Sequence, residues 1–131
     1  MYQGSCLCGK VKFTLSGDIQ DIVHCHCSLC RKAQGSAFAT NANVNKKDFI
    51  FTAGENNLTA YPLSAIQTKY FCKTCGSPIM SKNTQHPDAI RIRIGTIESD
   101  ISERPGAHIF TASKANWDTI CGEIPQYDEY E

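Results

Sequence analysis

The chain has 131 residues, 13 basic and 13 acidic side chains and eight cysteines. A chain of this length buries about two-thirds of the surface its unfolded form exposes, so one domain over residues 1–131 is expected without covalent cross-links. Balanced charge removes the global field that would recruit nucleic acid or an anionic membrane, and no run approaches the roughly 18 apolar residues of a membrane-spanning helix.

The start, Met1 to Cys6, has neither a basic leader nor an apolar signal core, so a cytoplasmic, reducing setting is expected. Short alternation then dominates. Val11, Phe13 and Leu15 share one face against Lys12 and Thr14, which reads as a strand with one buried face. A turn at Ser16-Gly17-Asp18 precedes a strand-like run from Val23 to Cys27. A short helix is expected between Ser28, a good N-cap, and Gln34, with Gly35 free to take the left-handed position after it. Strand-like runs follow at Ala37 to Val44, Phe49 to Thr52 and Ile66 to Phe71, separated by the turn signal Gly54-Glu55-Asn56-Asn57. After Cys75-Gly76-Ser77-Pro78, Ile90, Ile92 and Ile94 alternate with Arg91 and Arg93, the arginines reading as the polar face of a strand. Arg104-Pro105-Gly106 turns the chain into a last run, His108 to Thr111. The acidic tail, about 123–131, reads as loosely held. The expected class is mainly β, with no internal repeat.

Seven of the eight cysteines form three clusters: Cys6-Leu7-Cys8, Cys25-His26-Cys27-Ser28-Leu29-Cys30 and Cys72-Lys73-Thr74-Cys75. In a reducing compartment disulfides are rare, so clustered cysteines point to metal binding or catalysis. An extracellular disulfide framework is the rival reading. Residues two apart in a strand project their side chains to one face, so Cys6 and Cys8 can join Cys72 and Cys75 around one ion. The turn Cys72-x-x-Cys75-Gly76 favours this, because Gly76 is free to take the positive φ that wraps backbone and both sulfurs around a metal. Such a closed four-thiolate zinc site is structural.

Cys25, Cys27 and Cys30 form a second group with no fourth ligand nearby. Three thiolates on zinc leave one exchangeable position for water, thiolate or carbonyl oxygen, and the helix start with Arg31 and Lys32 would favour the thiolate forms. Two zinc ions per chain follow, the second held more loosely. Two other groupings are open. Cys27 and Cys30 could form a zinc ribbon with Cys72 and Cys75, leaving Cys6, Cys8 and Cys25 in the core. Cys121 could close the second site, against a reading as a small buried hydrophobe.

The ordered motifs Cys-x-Cys-Gly from Cys6, Cys-His-Cys-x-x-Cys-Arg-Lys from Cys25 and Phe-Cys-x-x-Cys-Gly-Ser from Phe71, with Ile-Gly-Thr-Ile from Ile94, His-Ile at His108 and Trp117, resemble the glutathione-dependent formaldehyde-activating enzyme (GFA) family, which includes the centromere protein V domain. The resemblance runs from about Gly4 to Trp117. It implies a compact zinc-bound, folded antiparallel β-sheet of the type also found in Rab-associated zinc chaperones. It assigns Cys6, Cys8, Cys72 and Cys75 to a structural zinc and Cys25, Cys27 and Cys30 to a catalytic one. The activity implied is carbon–sulfur bond formation or cleavage, with glutathione and formaldehyde as the thiol and aldehyde. A non-catalytic zinc scaffold that binds a protein partner is the competing class.

Glutathione carries two carboxylates, so its site should offer cations. Arg31 and Lys32 are the candidates, against a reading as solvated helix residues. His108 is a candidate for proton transfer near neutral pH, against a partly buried, hydrogen-bonded histidine. Trp117 is a candidate for lining the substrate pocket, against a place in the core. His26 alternates with Cys25 and Cys27 and should face away from their metal, with His24 on its side. His86, before Pro87, is expected in a loop.

Overall fold

The computed structural model describes residues 1–130; Glu131, the last acidic residue of the tail, lies outside the described residues. Two sheets carry the fold. In the smaller, β1 (Tyr2–Ser5) pairs antiparallel with β2 (Lys12–Leu15), which pairs antiparallel with β5 (Phe49–Ala53). The larger contains β10 (Ala107–Ile109), β3 (Gln20–Cys25), β4 (Ala39–Asn45), β9 (Ala89–Arg93), β8 (Pro78–Asn83), β7 (Gln67–Cys72) and β6 (Leu58–Pro62), side by side in that order. Every pair is antiparallel except β10 with β3. The fold is mainly β, as the alternation predicts, with one parallel pair added at the edge.

The expected strand faces explain the core. Phe13 and Leu15 from the small sheet, with Val11 just before it, meet Ile22, Val44, Ile79, Ile90 and Ile92 from the large one in a single apolar cluster. Phe13 and Phe49 stack with ring centroids 4.7 Å apart. Fully burying a side chain such as Ile92 contributes about 1.5–3 kcal/mol, and Ile79 and Ile92 are both 0% exposed. Cys6 and Cys72 belong to this same cluster, so the first sulfur group is built into the core wall.

The single α-helix among the described residues, α1 (Ser28–Gln34), has the expected span, but its cap is different. Cys27, not Ser28, is the N-cap, its sulfur accepting from the Cys30 backbone N–H at 3.3 Å. Gly35 closes the other end at φ 65°, its N–H donating to the Arg31 carbonyl. β1, β6 and β8 were not anticipated. The tail also differs from expectation: Pro125, Tyr127 and Glu129 bond through their backbone to His108, Phe110 and Thr111, so the described tail runs along β10. No helix among the described residues is long and apolar enough to cross a membrane.

Candidate metal centres and an adjoining cavity

Each sulfur group is held by a local backbone turn. Cys6 and Cys8 lie in the turn after β1 rather than on a strand. Gly9 N–H donates to the Cys6 carbonyl, Cys6 N–H donates to the Val11 carbonyl, and the Val11 N–H points to the Cys6 sulfur at 3.3 Å. Cys72 ends β7, and the following turn is closed by Gly76 N–H to the Cys72 carbonyl, with Gly76 at φ 79° as the motif requires. Leu7 N–H donates to Ser77 Oγ at 2.9 Å, fastening one turn to the other. Asn57 Nδ2 donates to the Cys72 sulfur at 3.2 Å.

The four sulfurs of Cys6, Cys8, Cys72 and Cys75 lie within 4.8 Å of one another. Cys6 and Cys8 are 3.6 Å apart and Cys8 and Cys72 are 3.8 Å apart. Tetrahedral coordination with metal–sulfur bonds near 2.3 Å places sulfurs about 3.8 Å apart, so this group matches a closed four-coordinate site. Ser77 stabilises the thiolate of Cys75, first through its side-chain hydroxyl and then its backbone N–H, and pulls that group down to about 5.

Cys25, Cys27 and Cys30 form the second group, their sulfurs also within 4.8 Å of one another. Cys25 ends β3, Cys27 caps α1 and Cys30 lies in its first turn, so a strand end and a helix start converge. Hydrogen bonds from the Cys25 and Cys30 sulfurs stabilise a thiolate at Cys27 and pull its pKa down to about 2. Acting as a donor pushes Cys25 up. No other His, Cys, Asp or Glu among the described residues joins this group. The structure therefore separates Cys27 and Cys30 from Cys72 and Cys75, which excludes the ribbon pairing. Cys121 is exposed and stands apart from both groups, beside Asp118 and Thr119, so it neither closes the second site nor packs in the core. All eight cysteines are free thiols.

A cavity of about 400 Å³ adjoins the three sulfurs. Strand register explains its lining. Val23 on β3 faces Asn41 on β4, which faces Arg93 on β9; one row along, Asn43 faces Arg91, Arg91 faces Ser81 on β8, and Ser81 faces Lys69 on β7. Cross-strand partners share a sheet face, so a polar belt extends from the Cys25 end of the sheet to Lys69. Phe110, in the left-handed region at φ 56°, stands at the cavity together with Tyr130, whose ring meets it edge-on at 4.7 Å.

The other sequence candidates are distributed more widely. Arg31 is half-buried on α1, its Nη2 donating to the Ser113 carbonyl at 3.4 Å and its Nε buried without a partner. Lys32 lines a neighbouring, more apolar hollow of about 480 Å³, which it shares with Lys69 and Arg93. Trp117 is 68% exposed and lines neither space. His24 and His108 are register partners on the sheet face opposite Cys25, and His26 Nε2 lies 2.8 Å from His108 Nδ1. Burial, then the neighbouring positive charge of His108 and His26, holds His24 down at about 4. His86 is in a loop at the cavity rim, as expected.

Sequence reasoning missed Asn41, Lys69 and Arg93 as cavity residues. A signal was present: Asn41 and Asn43 occupy alternate positions of one strand, and asparagine is depleted in strands unless its amide has something to do.

Comparisons with known proteins place the chain among relatives of similar sequence and fold. The chain spans 79% of a Halomonas elongata protein named "Putative glutathione-dependent formaldehyde-activating enzyme", at 27% identity over 89% of this chain. A Podospora anserina protein of the same name is 28% identical over 77% of this chain, which spans 47% of that longer protein. A crystal structure of a Rhodobacter sphaeroides protein superposes with TM-score 0.65 at 24% identity, over 95% of this chain and 98% of the other, and so shares the fold. The sequence matches the family model described as glutathione-dependent formaldehyde-activating enzyme over residues 1–113. With both sulfur groups and the fold in place, the chain belongs to the glutathione-dependent formaldehyde-activating enzyme family.

Proposed function

We propose that the whole chain acts as a single zinc-binding domain and a carbon–sulfur lyase that joins a thiol to an aldehyde and reverses that step. Glutathione and formaldehyde are the pair the family name suggests. One observation carries the reading: three cysteines, one short of a closed tetrahedral set, converge beside a cavity. Cys6, Cys8, Cys72 and Cys75 would hold the structural zinc, and Cys25, Cys27 and Cys30 the catalytic one.

Zinc at the second group would keep a substrate sulfur deprotonated near neutral pH and polarise a carbonyl oxygen. The chain's own residues supply the rest. Cys27, fixed by the helix N-terminus, and Cys25, fixed by β3, hold the sulfurs on one side of the cavity. Substrate sulfur would enter from the open side, with the aldehyde carbon brought to attack distance. A carbon–sulfur bond forms, the carbonyl π bond opens, and the oxygen takes the proton the thiol gave up. Thiols already add to formaldehyde unaided, so alignment and thiolate supply are the protein's main contributions. His24, His26 and His108 lie behind β3 and would fix the strand that presents Cys25. A reducing, cytoplasmic setting suits eight free thiols.

The test combines metal analysis with cobalt substitution and glutathione titration. Two metals per chain, with sulfur-to-cobalt charge-transfer bands that change on adding glutathione, are expected. One metal and unchanging bands would overturn the reading and favour a scaffold.

A further inference from the structure

The belt of polar residues beside the three sulfurs contains charges and amides with no visible partner. Arg93 is 4% exposed, and its one side-chain hydrogen bond is Nη1 to the Arg91 carbonyl at 3.3 Å. Its Nε and both amide atoms of Asn41, a residue 1% exposed, are buried without a hydrogen-bond partner. Lys69 and Arg91 line the same cavity, and no Asp or Glu among the described residues does. The ion pair found among the described residues is elsewhere, between Lys46 and Asp88. A buried cation without a counter-charge is costly, and unsatisfied buried amides add to the cost. This wall is therefore built to be completed by an anion.

Charge decides what kind. Three thiolates around a divalent ion leave one negative charge, whereas Arg93, Lys69 and Arg91 bring three positive ones. Two negative charges are still required. A thiolate supplies one at the sulfur end, and a carboxylate on the same molecule supplies the other at the belt. A guanidinium fork takes a carboxylate through paired hydrogen bonds, and an amide beside it can donate a third.

We infer that Arg93 and Lys69, with Asn41 between Arg93 and the strand carrying Cys25, form a carboxylate clamp that selects thiols bearing an acid group. This rests on the thiol-binding reading given above and assigns its specificity to the sheet rather than to Arg31 and Lys32 on the helix. Asn41 acts as a donor to the bound carboxylate. Lys69 supplies the charge that closes the far side.

The clamp is tested on cobalt-loaded protein by comparing 3-mercaptopropionate with 2-mercaptoethanol, which is neutral and of similar length. The acid should bind about tenfold more tightly or better, the scale of one charge-assisted hydrogen bond. Lys69→Met, which keeps the packed stem, should bring the two thiols to the same affinity. Arg93→Lys, which keeps the charge but loses the fork, should reduce the preference. Two metals per chain and an unchanged near-ultraviolet circular dichroism spectrum establish that the variants are folded. Equal binding of the two thiols by the unmodified protein would overturn the clamp while leaving thiol binding intact. If neither thiol changes the cobalt bands, thiol binding itself fails and the clamp is decided by glutarate alone: a Lys69-dependent shift of the Arg93 Nε–H resonance supports it, and no shift overturns it.

Discussion

Replacing Cys27 by serine and by alanine separates two jobs that the structure gives to one sulfur. Cys27 Sγ is one of three converging sulfurs and also accepts the Cys30 N–H at the start of α1. Serine is a strong N-cap, so Cys27→Ser keeps the cap while removing the thiolate; Cys27→Ala removes both, and losing a cap costs about 0.5–2 kcal/mol. For a domain of this size that difference lowers the melting temperature by roughly 2–10 °C. Both variants lose any stabilisation from a metal at the second site, so the gap between them isolates the cap. Thiol-dependent aldehyde turnover should fall at least about 100-fold in both, because loss of a ligand exceeds the effect of losing its supporting contacts. Scanning calorimetry and a coupled aldehyde assay read the two quantities separately. Wild-type turnover in Cys27→Ser would refute the three-sulfur site, and equal melting temperatures would refute the cap.

At the first group the expectation is opposite in kind. Cys72 is 0% exposed and lies in the core cluster. Structural zinc sites contribute about 10–16 kcal/mol of apparent binding energy, comparable with the entire stability of a domain. Cys72→Ser should therefore yield protein without a cooperative melting transition, measured by circular dichroism, whereas a cooperative transition near the wild-type temperature would argue against a metal there. Gly54 has φ 73° and its missing Cβ would collide with the Lys10 carbonyl, so Gly54→Ala should lower stability by more than about 1 kcal/mol in urea unfolding. Acid should weaken the fold. His24 titrates near 4 in the folded chain against an ordinary value of 6.5, so the unfolded chain takes up protons first. The stability is fully present above about pH 6.5 and is lost as pH falls toward 4. A smaller drop in urea midpoint between pH 7 and pH 5.5 for His24→Gln than for wild type, with bound metal measured in parallel, checks this.

The sequence disclosed elements whose pattern is set by one neighbour at a time. Phe13 and Leu15 alternate because β2 packs one face on the core, and the helix limits follow from local backbone chemistry at Gly35. β6 gave no signal because it is a largely exposed edge strand that ends in Pro62, and β8 begins at a proline within an expected turn. Arg93 was misread for a different reason. Period-two alternation identifies two faces but says nothing of what covers the second; here α1 and the cavity wall cover it, so the arginine is buried. The tail departs from expectation because it pairs with β10 through nonlocal backbone bonds, which local composition does not encode. The grouping of sulfurs into four and three was legible because ligand number and spacing are chemical constraints, independent of which strands deliver them.

The double use of Cys27 has an evolutionary consequence. Cysteine and serine codons differ by one base, and the capping geometry means that serine leaves the start of α1 intact. Among descendants of such a chain, the three-sulfur group can be broken in one step while the four-sulfur group stays intact. Inheritance of this fold is thus decoupled from inheritance of the three-sulfur group.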